Sequence, residues 1–264
     1  LLRTRVLTAL VGVPLLLFFV YLGGYVYGSL VTVLALLGLR EYFQLVEKAG
    51  WVPAKLPGFL FLPILFGAVL LENYFLVFLL WVFLYLFFTL LPIFFPTTFT
   101  YWGTAASFWG LVYLGVLPGY LLLLRSLETG FYLTVFLLVL VWITDIMAFF
   151  VGRSLGKRPL AKKISPNKTV EGTVGGIAGS FLAGMLLGAV LPVSPLTWLS
   201  GGLLGLLVGG AGTLGDLAQS ALKRSVDVKD TGTFLPGHGG MLDRFDSLLF
   251  AAPVFYYCFY FLTF

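Results

Sequence analysis

An all-α, polytopic integral membrane bundle of about nine transmembrane helices is the fold this sequence predicts, and three observations predict it. Of its 264 residues, 60% are hydrophobic and 10% charged, with a mean hydropathy of +1.04. A soluble globular domain carries about 25% charged residues. Nine stretches are apolar over roughly the ~20 residues that a helix needs to cross a bilayer. The basic residues between those stretches fall almost wholly on alternate turns.

The first stretch, about 4–22, follows Leu-Leu-Arg-Thr-Arg. It outruns the apolar region of a signal peptide and has no convincing small-residue cleavage site after it, so it reads as a membrane helix. The second, 25–47, begins after Gly23-Gly24, and Pro53 and Pro57 bracket the entry to the third, 56–72. The fourth, 74–95, is so rich in Phe and Leu that it is expected to face lipid on most sides. Stretches 101–124, 131–151, 173–192, 196–219 and 243–263 complete the set. Residues 1–130 read as scaffold helices. Residues 131–264 read as catalytic helices with cytoplasmic loops 152–172 and 216–244, the whole forming one membrane-integral domain.

With the N-terminus in the cytoplasm, fifteen of the sixteen Lys and Arg lie in inside segments and Arg125 alone lies outside. That asymmetry predicts an inside N-terminus and an outside C-terminus. The single cysteine, Cys258, excludes an intramolecular disulfide framework and a cysteine-based zinc site; packing in the last helix is its expected role. Gly172/Gly176, Gly175/Gly179, Gly184/Gly188 and Gly201/Gly205/Gly209 repeat at four-residue spacing. In lipid such spacing lets helix backbones approach closely. The seventh and eighth helices are therefore expected in the packed interior or at a subunit interface, and a homodimer is compatible with them.

Chemistry concentrates in Ser220–Asp246, which holds four basic residues, four acids and the only histidine. Lys223, Arg224, Lys229 and Arg244 suit phosphate oxygens, and the carboxylates suit a hard cation between phosphates. Gly237, Gly239 and Gly240 allow backbone to approach a ligand. Asp216, Gln219, Ser220 and Lys223 fall at i, i+3, i+4 and i+7, one stripe of an eighth helix that continues past the membrane. Asp243 and Asp246, three apart, share a face of the ninth. Carboxylates on two neighbouring helices would clamp Mg2+, which is commonly completed by waters and substrate phosphate. Solvated ion pairs with Lys223, Arg224 and Arg244 are the alternative on residue chemistry alone.

Two further segments carry polar groups. Asp145 lies within the sixth span, where an acid is costly and is by default functional, pairing with a basic residue of the bundle being the structural alternative. Loop 152–172 contains Arg153, Lys157, Arg158, Lys162, Lys163 and Lys168. Arg158, Lys162 and Lys163 suit anionic lipid headgroups. Lys168 and Thr169 suit nucleotide or phosphate, and Glu171 is a weaker candidate that also fits a helix first turn.

The run Ser-x-x-Lys-Arg-x4-Lys-Asp-x-Gly-x3-Pro-x-His-Gly-Gly-x2-Asp-Arg-x-Asp over 220–246 resembles the signature of the phosphatidate cytidylyltransferases, or CDP-diacylglycerol synthases, without a departure. Asp-x-x-Ala-Phe-x-x-Gly-Arg from Asp145 and Ile-Ser-Pro-x-Lys-Thr-x-Glu-Gly from Ile164 are similar to two more segments of that family. The resemblance is strongest over about 140–250 and says little about residues 1–130.

It implies that phosphatidate and CTP give CDP-diacylglycerol and pyrophosphate with Mg2+, a second cation being compatible with the site. On this reading Asp216, Asp243 and Asp246 bind metal, and with Lys223 and Arg244 they form the catalytic set. Asp145, Lys168, Thr169, Ser220, Arg224, Lys229, His238, Gly239 and Gly240 meet substrate. The partners are CTP, phosphatidate and the bilayer, with no nucleic acid. The expected place is the bacterial cytoplasmic membrane, with the site facing the cytoplasm and open sideways to lipid.

Other motifs are set aside. Gly210-Ala-Gly-Thr-Leu-Gly215 matches a dinucleotide fingerprint, but it lies in a membrane span with no preceding strand. Gly152–Lys157 is one residue short of a P-loop, and Ser220 lacks the strained turn of a hydrolase nucleophile. A transporter would place charge at the midplane and show an inverted repeat, and neither is seen. A CTP-dependent lipid kinase is the closer rival, distinguished by its products.

Overall fold

The computed structural model describes residues 2–232 and 239–263, with side chains over 10–232 and 239–262. Chain order is α1 (Leu2–Leu22), α2 (Gly24–Lys48), α3 (Lys55–Leu70), α4 (Tyr74–Phe94), α5 (Tyr101–Ser126), α6 (Gly130–Leu155), β1 (Pro159–Ala161), β2 (Ser165–Thr169), α7 (Val170–Val190), α8 (Trp198–Arg224) and α9 (Leu242–Thr263). Among the described residues there are thus nine helices, in the predicted order. Seven are long and apolar enough to cross a membrane, which makes the chain a multi-pass membrane protein. At 16 residues α3 falls short: with a rise of about 1.5 Å per residue it spans less than the ~30 Å hydrocarbon core. It ends at a turn through Leu71 and Glu72, the latter at φ 55°. The predicted third span ran to residue 72.

The chain forms two compact units. The first comprises residues 1–126 and 225–244, the second residues 127–224 and 245–264.

In the first unit α2 and α5 form the centre. Leu39, Phe43, Leu62, Phe66, Leu111 and Leu122 are fully buried. Tyr42 packs its ring over Gly110, where a Cβ would collide with it, and its hydroxyl donates to the Ala106 carbonyl at 3.1 Å. Outside this core α4 exposes Phe75, Phe78, Phe83 and Phe94, in keeping with a helix turned to lipid. Arg125, near the end of α5, donates from Nε to the Val20 carbonyl at 2.7 Å and from the guanidinium terminus to Tyr21 at 3.2 Å. Gly23 makes room for it: φ is 64°, and a side chain there would strike the guanidinium.

The second unit is built on backbone contact. Lipid tails are as apolar as leucine, so association between helices depends on close packing. A methyl group at Gly184, Gly201 or Gly205 would run into the carbonyl oxygens of Gly201, Gly184 and Ser180 respectively. On its other face α7 meets α6 in the same way. A Cβ at Gly172 would sit 2.7 Å from the Ala148 oxygen, and one at Gly176 2.7 Å from the Thr144 oxygen. The glycine spacing in the sequence therefore corresponds to a three-helix contact with α7 in the middle.

Between α6 and α7 the sequence predicted only a loop. The structure instead folds β1 and β2 into an antiparallel hairpin, pairing Pro159 with Thr169 and Ala161 with Ser165. Its base is tied to α7. Val170 donates its N–H to the Arg158 carbonyl at 2.9 Å, and Thr169 Oγ1 caps α7 by accepting from Gly172 N at 3.1 Å. Glu171 Oε2 accepts from Lys157 N (3.0 Å) and Arg158 N (3.1 Å), and Oε1 pairs with Arg158 Nε at 2.9 Å. One carboxylate thus holds the hairpin entry against the start of α7, where acids also oppose the helix dipole favourably.

Two consequences are testable. Gly205→Ala should cost about 1–3 kcal/mol through overpacking. Gly210→Ala, which meets nothing within 4 Å, should be neutral or gain about 0.5–1 kcal/mol; unfolding in detergent reads both. Glu171→Ala should let trypsin cut after Lys157, Lys162 and Lys163 several-fold faster while the unfolding temperature changes little.

Candidate active site

The second unit gathers charged residues from four elements. Near its C-terminal end α8 presents Asp216, Ser220 and Lys223 along one stripe, running unbroken to Arg224. Ser220 Oγ donates to Asp216 Oδ1 at 3.3 Å. From the end of β2, Lys168 Nζ forms an ion pair with Asp216 Oδ2, both side chains being roughly one-quarter exposed. From α9, Asp246 lies within the fields of Asp216 and of Asp145 on α6, and of the opposite charge on Lys223. Three acids and two lysines from α6, β2, α8 and α9 therefore share one electrostatic neighbourhood.

Glycine again sets the distance between elements. A Cβ at Gly215 would stand 2.5 Å from the Asp246 carbonyl and 2.9 Å from Phe250 Cβ, so α8 and α9 touch beside the two aspartates. Gly212 lies opposite Ser247 in the same seam. The set-aside glycine fingerprint 210–215 is thus a stretch of helix interior, with two of its glycines against α9. Asp246 Oδ1 accepts the Ser247 N–H at 2.7 Å, which helps fix its orientation.

Several predicted residues have other partners. Thr169 is occupied as the cap of α7. Arg224, exposed, reaches the Ile164 carbonyl at 3.4 Å and so touches the hairpin tip. Asp145 differs from expectation in its surroundings. It was read as a buried acid, but it is exposed, on a helix whose neighbouring Ile146, Met147, Phe149 and Phe150 are exposed too.

In the first unit Lys229 follows α8, and Asp243 and Arg244 lie in the first turn of α9; Lys229 and Arg244 are exposed. Asp243 Oδ2 accepts from Thr231 N at 2.9 Å, Thr231 Oγ1 at 3.0 Å and Gly240 N at 3.1 Å. Gly239 adopts φ 81°, which only glycine takes readily. His238 and Gly237 lie outside the described residues. Glu41 of α2, which sequence reasoning passed over, joins this loop: it is 5% exposed and accepts from Thr231 Oγ1, Met241 N and Leu242 N at 2.8–2.9 Å. Its signal was an acid inside the apolar stretch 25–47.

As donors, the carboxylate oxygens of Asp216 and Asp246 are of the hard kind that suit Mg2+ or a similar cation. Their adjacency to a third acid, offset by Lys168 and Lys223, suits a ligand that brings both positive and negative charge. Among the described residues no group of three His, Cys, Asp or Glu is close enough to enclose a metal ion by itself.

The cytidylyltransferase family profile matches residues 3–262. A phosphatidate cytidylyltransferase of Synechocystis is 36% identical over 96% of this chain and 94% of its own length. One from Bacillus subtilis is 48% identical over 55% of this chain and 54% of its own, and one from Staphylococcus saprophyticus is 40% identical over 54% of each. With the match running from α1 into α9, the chain belongs to the cytidylyltransferase family.

Proposed function

We propose that this chain is a CTP:phosphatidate cytidylyltransferase, which joins phosphatidate to the cytidylyl group of CTP and releases pyrophosphate. The observation that carries the reading is the convergence of Asp145, Asp216 and Asp246 with Lys168 and Lys223. The near full-length identity to a relative of that name supports it. An anionic lipid and a nucleoside triphosphate are the substrates such a charge pattern suits.

An oxygen of the lipid phosphate attacks the α-phosphorus of CTP. A new P–O bond forms, and the bond to the bridging oxygen breaks with its electron pair leaving on pyrophosphate. The nucleophile is already anionic, so the chain need not supply a strong base. What must be overcome is repulsion between two anions and the charge that builds on the leaving group. Positioning and fixed positive charge supply both. Lys168 and Lys223 are placed to share phosphate charge, with Lys229, Arg224 and Arg244 as further phosphate contacts.

Asp216 and Asp246 would hold a divalent cation, Mg2+ by donor chemistry, and the sequence pattern adds Asp243 three residues earlier on α9. When bound, the cation neutralises triphosphate oxygens. Until then, Lys168 supplies positive charge at Asp216. We further place the N-terminus and the active site on the cytoplasmic side of a bacterial inner membrane, from the distribution of Lys and Arg.

The test is radiolabelled CTP with phosphatidate in detergent. CDP-diacylglycerol and pyrophosphate are expected, whereas CDP and a phosphorylated lipid would identify a kinase instead. Asp246→Ala should reduce turnover by about 100-fold or more with the protein still membrane-inserted, a loss of the size seen when transition-state charge stabilisation is removed. Near-normal turnover would remove Asp246 from the site. Lys168→Ala should act mainly on apparent CTP affinity, and an unchanged KM for CTP would contradict its role. Chelation of divalent cations should abolish product formation reversibly.

A further inference from the structure

We propose that Glu41 is a positioning residue for this reaction, acting from α2 on the loop and helix start that carry Asp243 and Asp246. The inference rests on the reading of those two aspartates given above.

Glu41 is nearly inaccessible, and a buried carboxylate is retained only where donors compensate its lost hydration. Its three donors come from the far end of the chain. Oε1 accepts from Met241 N at 2.8 Å, and Oε2 accepts from Leu242 N and Thr231 Oγ1, each at 2.9 Å. Met241 N and Leu242 N belong to the start of α9, where backbone N–H groups have no partner within the helix. Glu41 therefore caps α9 from another helix, with its negative charge at the favourable end of the dipole.

The same carboxylate also meets the other end of the loop. Thr231 lies just before residues 232–239, and Gly240 to Leu242 lie just after them. Thr231 is bound in turn to Asp243 Oδ2, through both its N–H and its hydroxyl. Glu41 and Asp243 thus pin both stems of the loop together. Space enforces the arrangement: a Cβ at Gly232 would stand 2.7 Å from Glu41 Oε1, and one at Gly240 would collide with Thr231 Oγ1.

Because α9 is continuous, the seat of its first turn carries through to Asp246 one turn later. A residue that served stability alone would be expected to alter the amount of folded enzyme. One that sets the aim of reacting groups should alter turnover, since displacement by about 1 Å can cost roughly 100-fold.

The experiment uses the full chain in detergent with CTP and phosphatidate. Glu41→Gln keeps the volume but turns one acceptor into a donor facing N–H groups. We expect kcat to fall by about ten-fold or more, within the range that misplacement produces, and KM for CTP to stay within about two-fold. Hydrogen exchange over 239–243 should speed up while α5 keeps its protection. Unchanged kcat per folded molecule, or a loss confined to KM, overturns the proposal. If Glu41→Gln does not fold, Thr231→Val leaves Glu41 in place and should show the same kcat-selective loss; unchanged kcat there overturns it as well. Absence of CDP-diacylglycerol from the unmodified enzyme would instead count against the functional reading, and the exchange measurement would still test the clamp.

Discussion

Backbone-to-backbone contact along α7 is the constraint on which the second unit depends. Helices in lipid gain little from burying apolar surface against one another, so their association depends on how closely they approach. Gly184, Gly201 and Gly205 bring α7 against α8, while Gly172 and Gly176 bring it against α6. The hairpin is tied to the start of α7 through Val170, Thr169 and Glu171, and so Lys168 arrives beside Asp216 as a result of that approach. Packing of small residues and placement of charge are here one arrangement.

Electrostatics explains why such rigidity is useful. Asp145, Asp216 and Asp246 repel one another, and loosely held side chains would separate or swing toward water. Held on α6, α8 and α9, with α7 packed on α6 at Gly176 and on α8 at Gly209 and with α8 packed on α9 at Gly215, they stay together, Lys168 and Lys223 offsetting part of the charge. A preorganised charge pattern of this kind loses little to reorganisation when a polyanion arrives.

Much of this was legible in the sequence, because apolar length, glycine spacing and the i, i+3, i+4, i+7 stripe are local signals. Asp216, Ser220 and Lys223 could be put on one helix face before any coordinates existed. What was not legible either lacked a local pattern or depended on partners distant in the chain. The hairpin at 159–169 hides in a segment of Pro, Ser, Asn and Lys with no alternating apolar pattern. Glu41 acquires its meaning only when residues about two hundred positions later fold onto it. Exposure of Asp145 was equally invisible, since periodicity gives a face of a helix but not what covers it.

In the proposed orientation, Arg125 is the one basic residue on the opposite face from the other fifteen. Its guanidinium is not simply exposed to solvent there. It closes the carbonyl-rich end of α1 at Val20 and Tyr21 while sitting in the last turn of its own helix, where a cation is also favoured. The lone exception to the topological bias therefore works as an electrostatic plug for two helix ends. A cation in that position contributes to architecture.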